Sequence, residues 1–195
     1  MGKHFASMEP AHQEFIRRQR IFFTGSAARD GRVNVSPKDG AALRVLSERR
    51  VAYLDLTGSG NETAAHLRAQ GRLTLMFCAF EGAPVILRLY GVGKVLRRGS
   101  AEYEAMLAGA FDHAERPGAR QIVVLEVEDV QTSCGFGVPL FSYDGERTNL
   151  TQWAAGKGDE GLREYWRTRN AVSIDGLPTG IVEGEEAGEH RSAGR

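Results

Sequence analysis

Cysteine is scarce in this chain, and the cysteines present match no metal or disulfide pattern. The 195 residues include two, Cys78 and Cys134, which lie far apart and have no zinc-ligand spacing. A reduced, intracellular protein is therefore expected. The five histidines also lack ligand spacing, so no metal site is predicted. No Ser-His-Asp or Cys-His arrangement indicates a nucleophilic enzyme, and no catalytic residue is assigned.

An excess of either charge and a long apolar run are also lacking. The 25 Lys and Arg residues balance the 25 Asp and Glu residues, which argues against a nucleic-acid binder that depends on a basic surface. No segment reaches membrane-spanning length and the N-terminus has no apolar signal core, so a cytoplasmic protein without membrane contact is expected.

Short strand-like segments separated by few helices dominate residues 9–132. This pattern favours a mainly β fold with short peripheral helices: an antiparallel barrel of six to seven strands rather than a doubly wound parallel sheet. Asp30-Gly31 predicts a hairpin turn, and Gly91 with Gly93 predicts a bulge or bend in a long strand. Residues 133–180 are predicted to form a helical extension packed on the barrel or on a dimer partner, and residues 181–195 a disordered tail.

The first candidate site is a strand with four polar side chains on one face. At every second position from 32 to 38 the strand carries a guanidinium, an amide, a hydroxyl or an ammonium group. Such a face suits a planar heterocycle, and Lys38 would place positive charge beside a reduced flavin ring. A solvated hairpin face is the alternative. The polar residues are Arg32, Asn34, Ser36 and Lys38, alternating with Val33, Val35 and Pro37.

The second candidate is the glycine-containing segment 57–63, which joins a strand to a helix. Free N–H groups at the helix start and the hydroxyls of Thr57, Ser59 and Thr63 suit a phosphate. Asn61 is the predicted N-cap. No Walker lysine follows, and the glycine spacing differs from the dinucleotide fingerprint. A capped turn without a ligand fits the same residues.

The third candidate is Arg88, which interrupts the apolar strand 85–90. A buried arginine needs a partner. A carboxylate such as Asp55 would provide one through a structural ion pair, and a ligand phosphate is the alternative.

These three segments, in this order, resemble the FMN-binding split β-barrels related to pyridoxamine 5′-phosphate oxidase. The resemblance covers about residues 10–130. It implies bound FMN and a homodimer with each flavin in a cleft between subunits, where Arg88 or the tryptophan-bearing extension acts across the interface. The cofactor-binding residues that the resemblance implies are Asn34, Val35, Ser36, Lys38, Thr57, Ser59, Gly60, Asn61, Thr63 and Arg88.

The chain departs from the vitamin B6 oxidases at the start of the helix. Those enzymes carry a Ser-Arg-Lys run there, whereas this chain has Asn61, Glu62 and Thr63. A carboxylate at this point repels a phosphate unless it turns away. A counterpart of their C-terminal Arg-x-His is also missing, so a true vitamin B6 oxidase is not expected.

The leading hypothesis is an FMN-dependent oxidoreductase that transfers hydride through flavin N5 to or from a small-molecule substrate, with NAD(P)H as a candidate electron donor. A deazaflavin-dependent reductase is a variant of this hypothesis. A non-catalytic module that binds or stores flavin or haem is the second class. An oligonucleotide-binding barrel is disfavoured, because the chain has zero net charge and no aromatic stacking row.

Overall fold

One curled antiparallel sheet forms the body of the protein. The computed structural model describes residues 2–183, in which seven strands follow the order β3-β2-β6-β7-β8-β5-β4 and β1 pairs with β8. The predicted fold class is confirmed. The strands are β1 (Lys3–Phe5), β2 (Ile21–Ser26), β3 (Asn34–Asp39), β4 (Leu43–Ser47), β5 (Arg50–Leu56), β6 (Arg72–Cys78), β7 (Ile86–Arg97) and β8 (Ala119–Ser133).

The barrel is split between β3 and β4. These strands end the hydrogen-bonded path, and the 3₁₀ turn Gly40–Ala42 connects them directly. Among residues 2–183, no backbone pairing joins β3 to β4 at this seam. The hairpin predicted at Asp30-Gly31 is present, because β2 and β3 are antiparallel neighbours, but their pairing stops at Ser26 and Asn34 and leaves a loop longer than a two-residue turn.

Four α-helices accompany the sheet within the described residues. Ser100 caps the third by accepting the N–H of Tyr103. Tyr103, Leu107 and Phe111 pack on the face of β5 and β8 that points away from the barrel interior. The helices are α1 (Pro10–Arg18), α2 (Glu62–Gln70), α3 (Ala101–Ala110) and α4 (Asn149–Tyr165), which continues into a π-helical turn (Trp166–Asn170).

Alternating side chains of the strands fill the barrel interior. Phe22, Leu75, Leu89 and Leu125 are at most 1% exposed and belong to one core. This is the two-residue periodicity of a sheet with one face buried. The predicted irregularity of β7 is present, since its register with β8 shifts between Tyr90 and Gly91.

The outer face of strands β3, β2, β6 and β7 is unusually apolar. In the strand register, Phe23 of β2 lies opposite Pro37 of β3 and Met76 of β6. Met76 in turn lies opposite Arg88 of β7. Val35 on the same face is 65% exposed. The alternation on β3 is therefore inverted, with its apolar side chains outward and its polar side chains toward the barrel. We call this surface the outer sheet face.

The extension beyond β8 packs against the barrel. The indole Nε1 of Trp166 donates to Thr57 Oγ1 over 2.8 Å, and both side chains are buried. Residues 181–183 of the predicted tail form a turn in which Glu183 pairs with Arg68; residues 184–195 lie outside the described part. Within residues 2–183, no helix combines the length and the hydropathy needed to span a membrane.

Candidate functional site

A cavity of about 710 Å³ lies where β3, the turn after β5, the start of α2 and the extension meet. We call it the split cavity. Its size falls within the range of small-molecule sites. Its wall combines polar strand residues, glycines and the apolar rim residues Val33, Val172 and Ile174. The remaining lining residues are Arg32, Asn34, Ser36, Lys38, Asp55, Gly58, Ser59, Gly60, Glu62, Thr63, His66, Arg120, Arg169 and Ser173.

The polar face of β3 forms one wall of the split cavity. Ser36 Oγ donates to Asn34 Oδ1, and Asn34 Nδ2 donates to Thr63 Oγ1, both over 3.1 Å. These bonds join β3 to the first turn of α2 across the split. The two candidate segments, which are separate in sequence, thus line one cavity.

The floor of the split cavity is a buried cluster around Asp55, whose side chain is 3% exposed. Lys38 Nζ lies 2.6 Å from Asp55 Oδ1, and Arg120 Nε lies 2.8 Å from Asp55 Oδ2. Gln121 Nε2 also donates to Oδ2 over 2.9 Å. Burial alone would raise the pKa of the Asp55 carboxyl, but the two cations outweigh burial and hold this pKa well below its usual range. The cluster therefore stays charged, and its two cations exceed its single carboxylate by one positive charge.

Arg120 also holds the glycine-containing turn from behind. Its Nη1 donates over 2.9 Å to the carbonyl of Gly60 and to Oδ1 of Asn170. Asn170 Nδ2 in turn donates to the carbonyl of Gly58 over 3.1 Å. The carbonyls of the turn are thus bonded to the protein, while the N–H groups of the first turn of α2 have no acceptor within the helix.

The structure brings six of the ten predicted cofactor-binding residues to the split cavity and leaves four elsewhere. The six lining residues come from β3, the turn and α2: Asn34, Ser36, Lys38, Ser59, Gly60 and Thr63. Val35 and Arg88 point to the outer sheet face, and Thr57 and Asn61 are buried behind the turn.

Each residue placed elsewhere has its own structural setting. Thr57 Oγ1 donates to the carbonyl of Gly118 and accepts from Trp166, so its hydrogen-bonding capacity is used. Asn61 occupies the N-cap position but does not cap α2, because its Oδ1 accepts from Gln121 instead. Its Nδ2 has no partner among residues 2–183.

The expected pairing of Arg88 with Asp55 is wrong. Strand β5 pairs with β8 and not with β7, so Asp55 meets Gln121 and Arg120. Arg88 instead donates to Ser133 Oγ over 3.3 Å on the outer sheet face.

The extension covers the mouth of the split cavity, a role that the sequence analysis missed. Asp175 accepts the backbone N–H of Arg32 over 2.7 Å and also pairs with the Arg32 guanidinium. These contacts lower the pKa of Asp175, the backbone hydrogen bond most of all. Glu62 accepts the N–H of Ile174, with both carboxylate oxygens within 3.2 Å. The Glu62 carboxylate is therefore directed to the extension.

Arg169 and His66 complete the wall. Arg169 is exposed in the π-helical turn after α4 and has no ion-pair partner among residues 2–183. His66 is 1% exposed, and its Nδ1 lies 3.1 Å from Ser26 Oγ. His66 is thus held by the barrel, whereas Arg169 is available to an anion.

Fold and cavity together define a split β-barrel protein with a polar cavity at its open seam. The family model for pyridoxamine 5′-phosphate oxidase matches residues 8–134, and the chain belongs to this family. The pyridoxamine 5′-phosphate oxidase family protein ustO of Aspergillus flavus is 38% identical over 190 residues, which cover 89% of this chain and 76% of that protein.

Two solved structures support the fold. A variant of HupZ from Group A Streptococcus has a TM-score of 0.54 at 17% identity, and the match covers 65% of this chain and 99% of that one. A putative pyridoxamine 5′-phosphate oxidase from Lactobacillus delbrueckii has a TM-score of 0.50 at 18% identity, with 65% and 94% covered. Both matches leave about a third of this chain uncovered.

Proposed function

We propose that the split cavity binds FMN and that the protein is an FMN-dependent oxidoreductase of a small-molecule substrate. The observation that carries this proposal is the meeting of the polar β3 face with the start of α2 over the charged Asp55 cluster. A flavin mononucleotide needs such a pair of walls, one for a flat heterocycle with several hydrogen-bonding atoms and one for a phosphate.

The residues present fit this group. The cavity volume of about 710 Å³ lies within the range of cofactor sites. Asn34, Ser36 and Lys38 supply both donors and acceptors along one strand, which suits the polar edge of a ring system. The rim residues Val33 and Ile174 supply apolar contact for the ring faces.

The Asp55 cluster fixes the position and charge of Lys38. Because Asp55 Oδ1 holds the ammonium at 2.6 Å, Lys38 presents its remaining N–H groups in a defined direction. The single excess positive charge of the cluster favours an anionic ligand. A bound flavin supplies hydride exchange at its N5 atom; the protein binds the ring, orients it and neutralises charge.

The first turn of α2 has no cation for a phosphate, and the nearby Arg169 offers one. Glu62 is directed to Ile174 N–H, which reduces the repulsion expected from a carboxylate there. Hydroxyls of Ser59 and Thr63, N–H groups of α2 and the Arg169 guanidinium would together hold the phosphate. This arrangement replaces the basic pair of the vitamin B6 oxidases.

We also propose that the protein works as a homodimer through the outer sheet face. This face exposes Val35 and leaves Phe23 and Met76 partly exposed on neighbouring strands, a setting that favours burial against a partner. Arg88 lies within the same face. A second copy packed there would bring Arg88 to an interface, which is the role that the family resemblance implies for it.

The test begins with the natively purified protein and whatever co-purifies with it. An absorbance spectrum with mass spectrometry of the released ligand should give FMN, and NADH or NADPH should bleach the flavin in repeated turnovers. A deazaflavin or haem in place of FMN would overturn the cofactor proposal, and bound FMN without turnover would support a binding or storage protein.

The residue-level test compares two lysines. Lys38→Met should lower FMN affinity by about tenfold or more, the effect of losing one charge-assisted hydrogen bond. Lys3→Met removes the same group from exposed strand β1 outside the cavity and should leave affinity unchanged. Equal affinity in both variants would contradict the site.

A further inference from the structure

We propose that residues 171–178 form a hinged strap that opens and closes the mouth of the split cavity. The inference concerns access to the cavity and holds for any ligand; only its flavin readout rests on the proposed function.

The strap is braced internally. Ser173 N–H donates to the carbonyl of Leu177 over 2.8 Å, and Leu177 N–H donates to Ser173 Oγ over 3.0 Å. A bridge pairs Val172 with Pro178. These bonds lie within the segment, so it can move as a unit without losing them.

The base of the strap is fixed to the barrel. Thr179 Oγ1 donates to the carbonyl of Asn170 over 2.6 Å, which ties the two ends together. Asn170 is fully buried and holds Gly58 and Arg120. The two ends of the strap therefore leave the barrel at one anchored point, which is the geometry of a hinge.

The tip of the strap is held by polar contacts. Asp175 binds Arg32 of the β2–β3 loop, and the Ile174 N–H binds Glu62 of α2. Gly31 permits this approach, because a Cβ at that position would lie 2.6 Å from Asp175 Oδ2. We call the Arg32–Asp175 contact the latch.

Val172 and Ile174 contribute little apolar burial that would oppose opening. They are 54% and 69% exposed while the strap lies over the mouth. Opening costs the contacts of the partly buried Leu177 and the polar contacts at the tip. The Asp175 side chain is 14% exposed, but that of Arg32 is 68% exposed, so the latch is a surface ion pair of small energy and the closed and open positions differ by a small factor.

The experiment measures access to the cavity with a thiol probe that needs no ligand. In a Cys134→Ser background, Ser36→Cys places a thiol on the cavity wall and Lys3→Cys places one on strand β1, outside the cavity. Cys78 is buried and stays unlabelled. The reaction rate with a bulky maleimide is measured with and without Asp175→Ala, which removes the latch.

The proposal expects Asp175→Ala to raise the labelling rate at position 36 by about two- to fivefold, the range an exposed ion pair supports. Raised salt should produce a similar increase with the latch intact and little with Asp175→Ala. The rate at position 3 should stay unchanged. Equal rates at position 36, or a parallel increase at both positions, would overturn the strap.

A second measurement separates the strap from the proposed cofactor. If FMN binds, Asp175→Ala should raise both its association and its dissociation rate constants, since a gate limits passage in both directions. Unchanged rate constants for bound FMN would overturn the gate. Absence of FMN binding overturns the proposed function alone, because the thiol experiment then still decides for or against the strap.

Discussion

Removal of the Arg120 guanidinium is expected to be among the most damaging single changes at the split cavity. Arg120 is 4% exposed and donates to Asp55, to the carbonyl of Gly60 and to Asn170. The variant Arg120→Met keeps the length and apolar stem of the side chain but leaves Asp55 with a smaller set of donors. Breaking a buried ion pair from one side costs about 3–5 kcal/mol, and we expect a loss of unfolding free energy in that range.

The matched comparison is Lys38→Met, which removes the other cation from the same carboxylate. The Lys38 side chain is 21% exposed, and Asp55 keeps Arg120 and Gln121 in this variant. The expected loss is about 1.5 kcal/mol, the lower end for a hydrogen bond to a charged group. The double variant Arg120→Met with Lys38→Met leaves the buried Asp55 carboxylate without a cation and should lose more than the sum of the two single losses.

Urea unfolding followed by tryptophan fluorescence measures all three variants, and buried Trp166 reports on the extension that Arg120 anchors. A loss below about 1 kcal/mol for Arg120→Met, or a larger loss for Lys38→Met, would refute the assignment of Arg120 as the main counter-charge of Asp55.

Three further predictions concern pH, packing and assembly. The lowered pKa of Asp55 contributes stability that is fully present above its ordinary pKa of 3.8 and is lost as pH falls toward the folded-state pKa. The free energy of unfolding should therefore decrease below about pH 4, and it should decrease less steeply in Asp55→Asn. Equal slopes of unfolding free energy against pH in the two proteins would contradict this. Gly91→Ala would place a Cβ 1.9 Å from a backbone oxygen of β8 and should lower the free energy of unfolding by about 2 kcal/mol or more. Gly109→Ala in α3 meets open space and should raise the free energy of unfolding by up to about 1 kcal/mol. Thermal unfolding measures both variants. Met76→Arg on the outer sheet face should shift a homodimer toward monomer in sedimentation velocity. Glu128→Arg, at an exposed position of β8, is the control. An unchanged sedimentation coefficient in Met76→Arg would exclude this face as the interface.

Much of the fold was predictable from local patterns. Asn61 was predicted as the N-cap residue and does precede α2, which begins at Glu62; the irregularity of β7 follows from its two glycines. The loop between β2 and β3 was not predictable from Asp30-Gly31, because the contact between Arg32 and Asp175 holds it and joins residues 143 positions apart. Turn chemistry acts over a few residues and carries no information about such a partner.

The candidate site was predictable where it depends on strand periodicity. Alternation correctly grouped Asn34, Ser36 and Lys38 on one face. It did not reveal which strand pairs with β5, and so Asp55 was assigned to Arg88 instead of Arg120. The prediction for Arg88 was based on the need of an arginine in an apolar strand for a partner. The same argument applies at the start of β8 and would have identified Arg120.

Asn170 anchors the glycine-containing turn and so makes the barrel and the C-terminal extension dependent on each other. A chain shortened after residue 134 would keep every strand of the sheet but would lose the hydrogen bond that supports Gly58 and one wall of the split cavity. Exchange of the C-terminal third between relatives would therefore change the shape of the split cavity without altering a single strand.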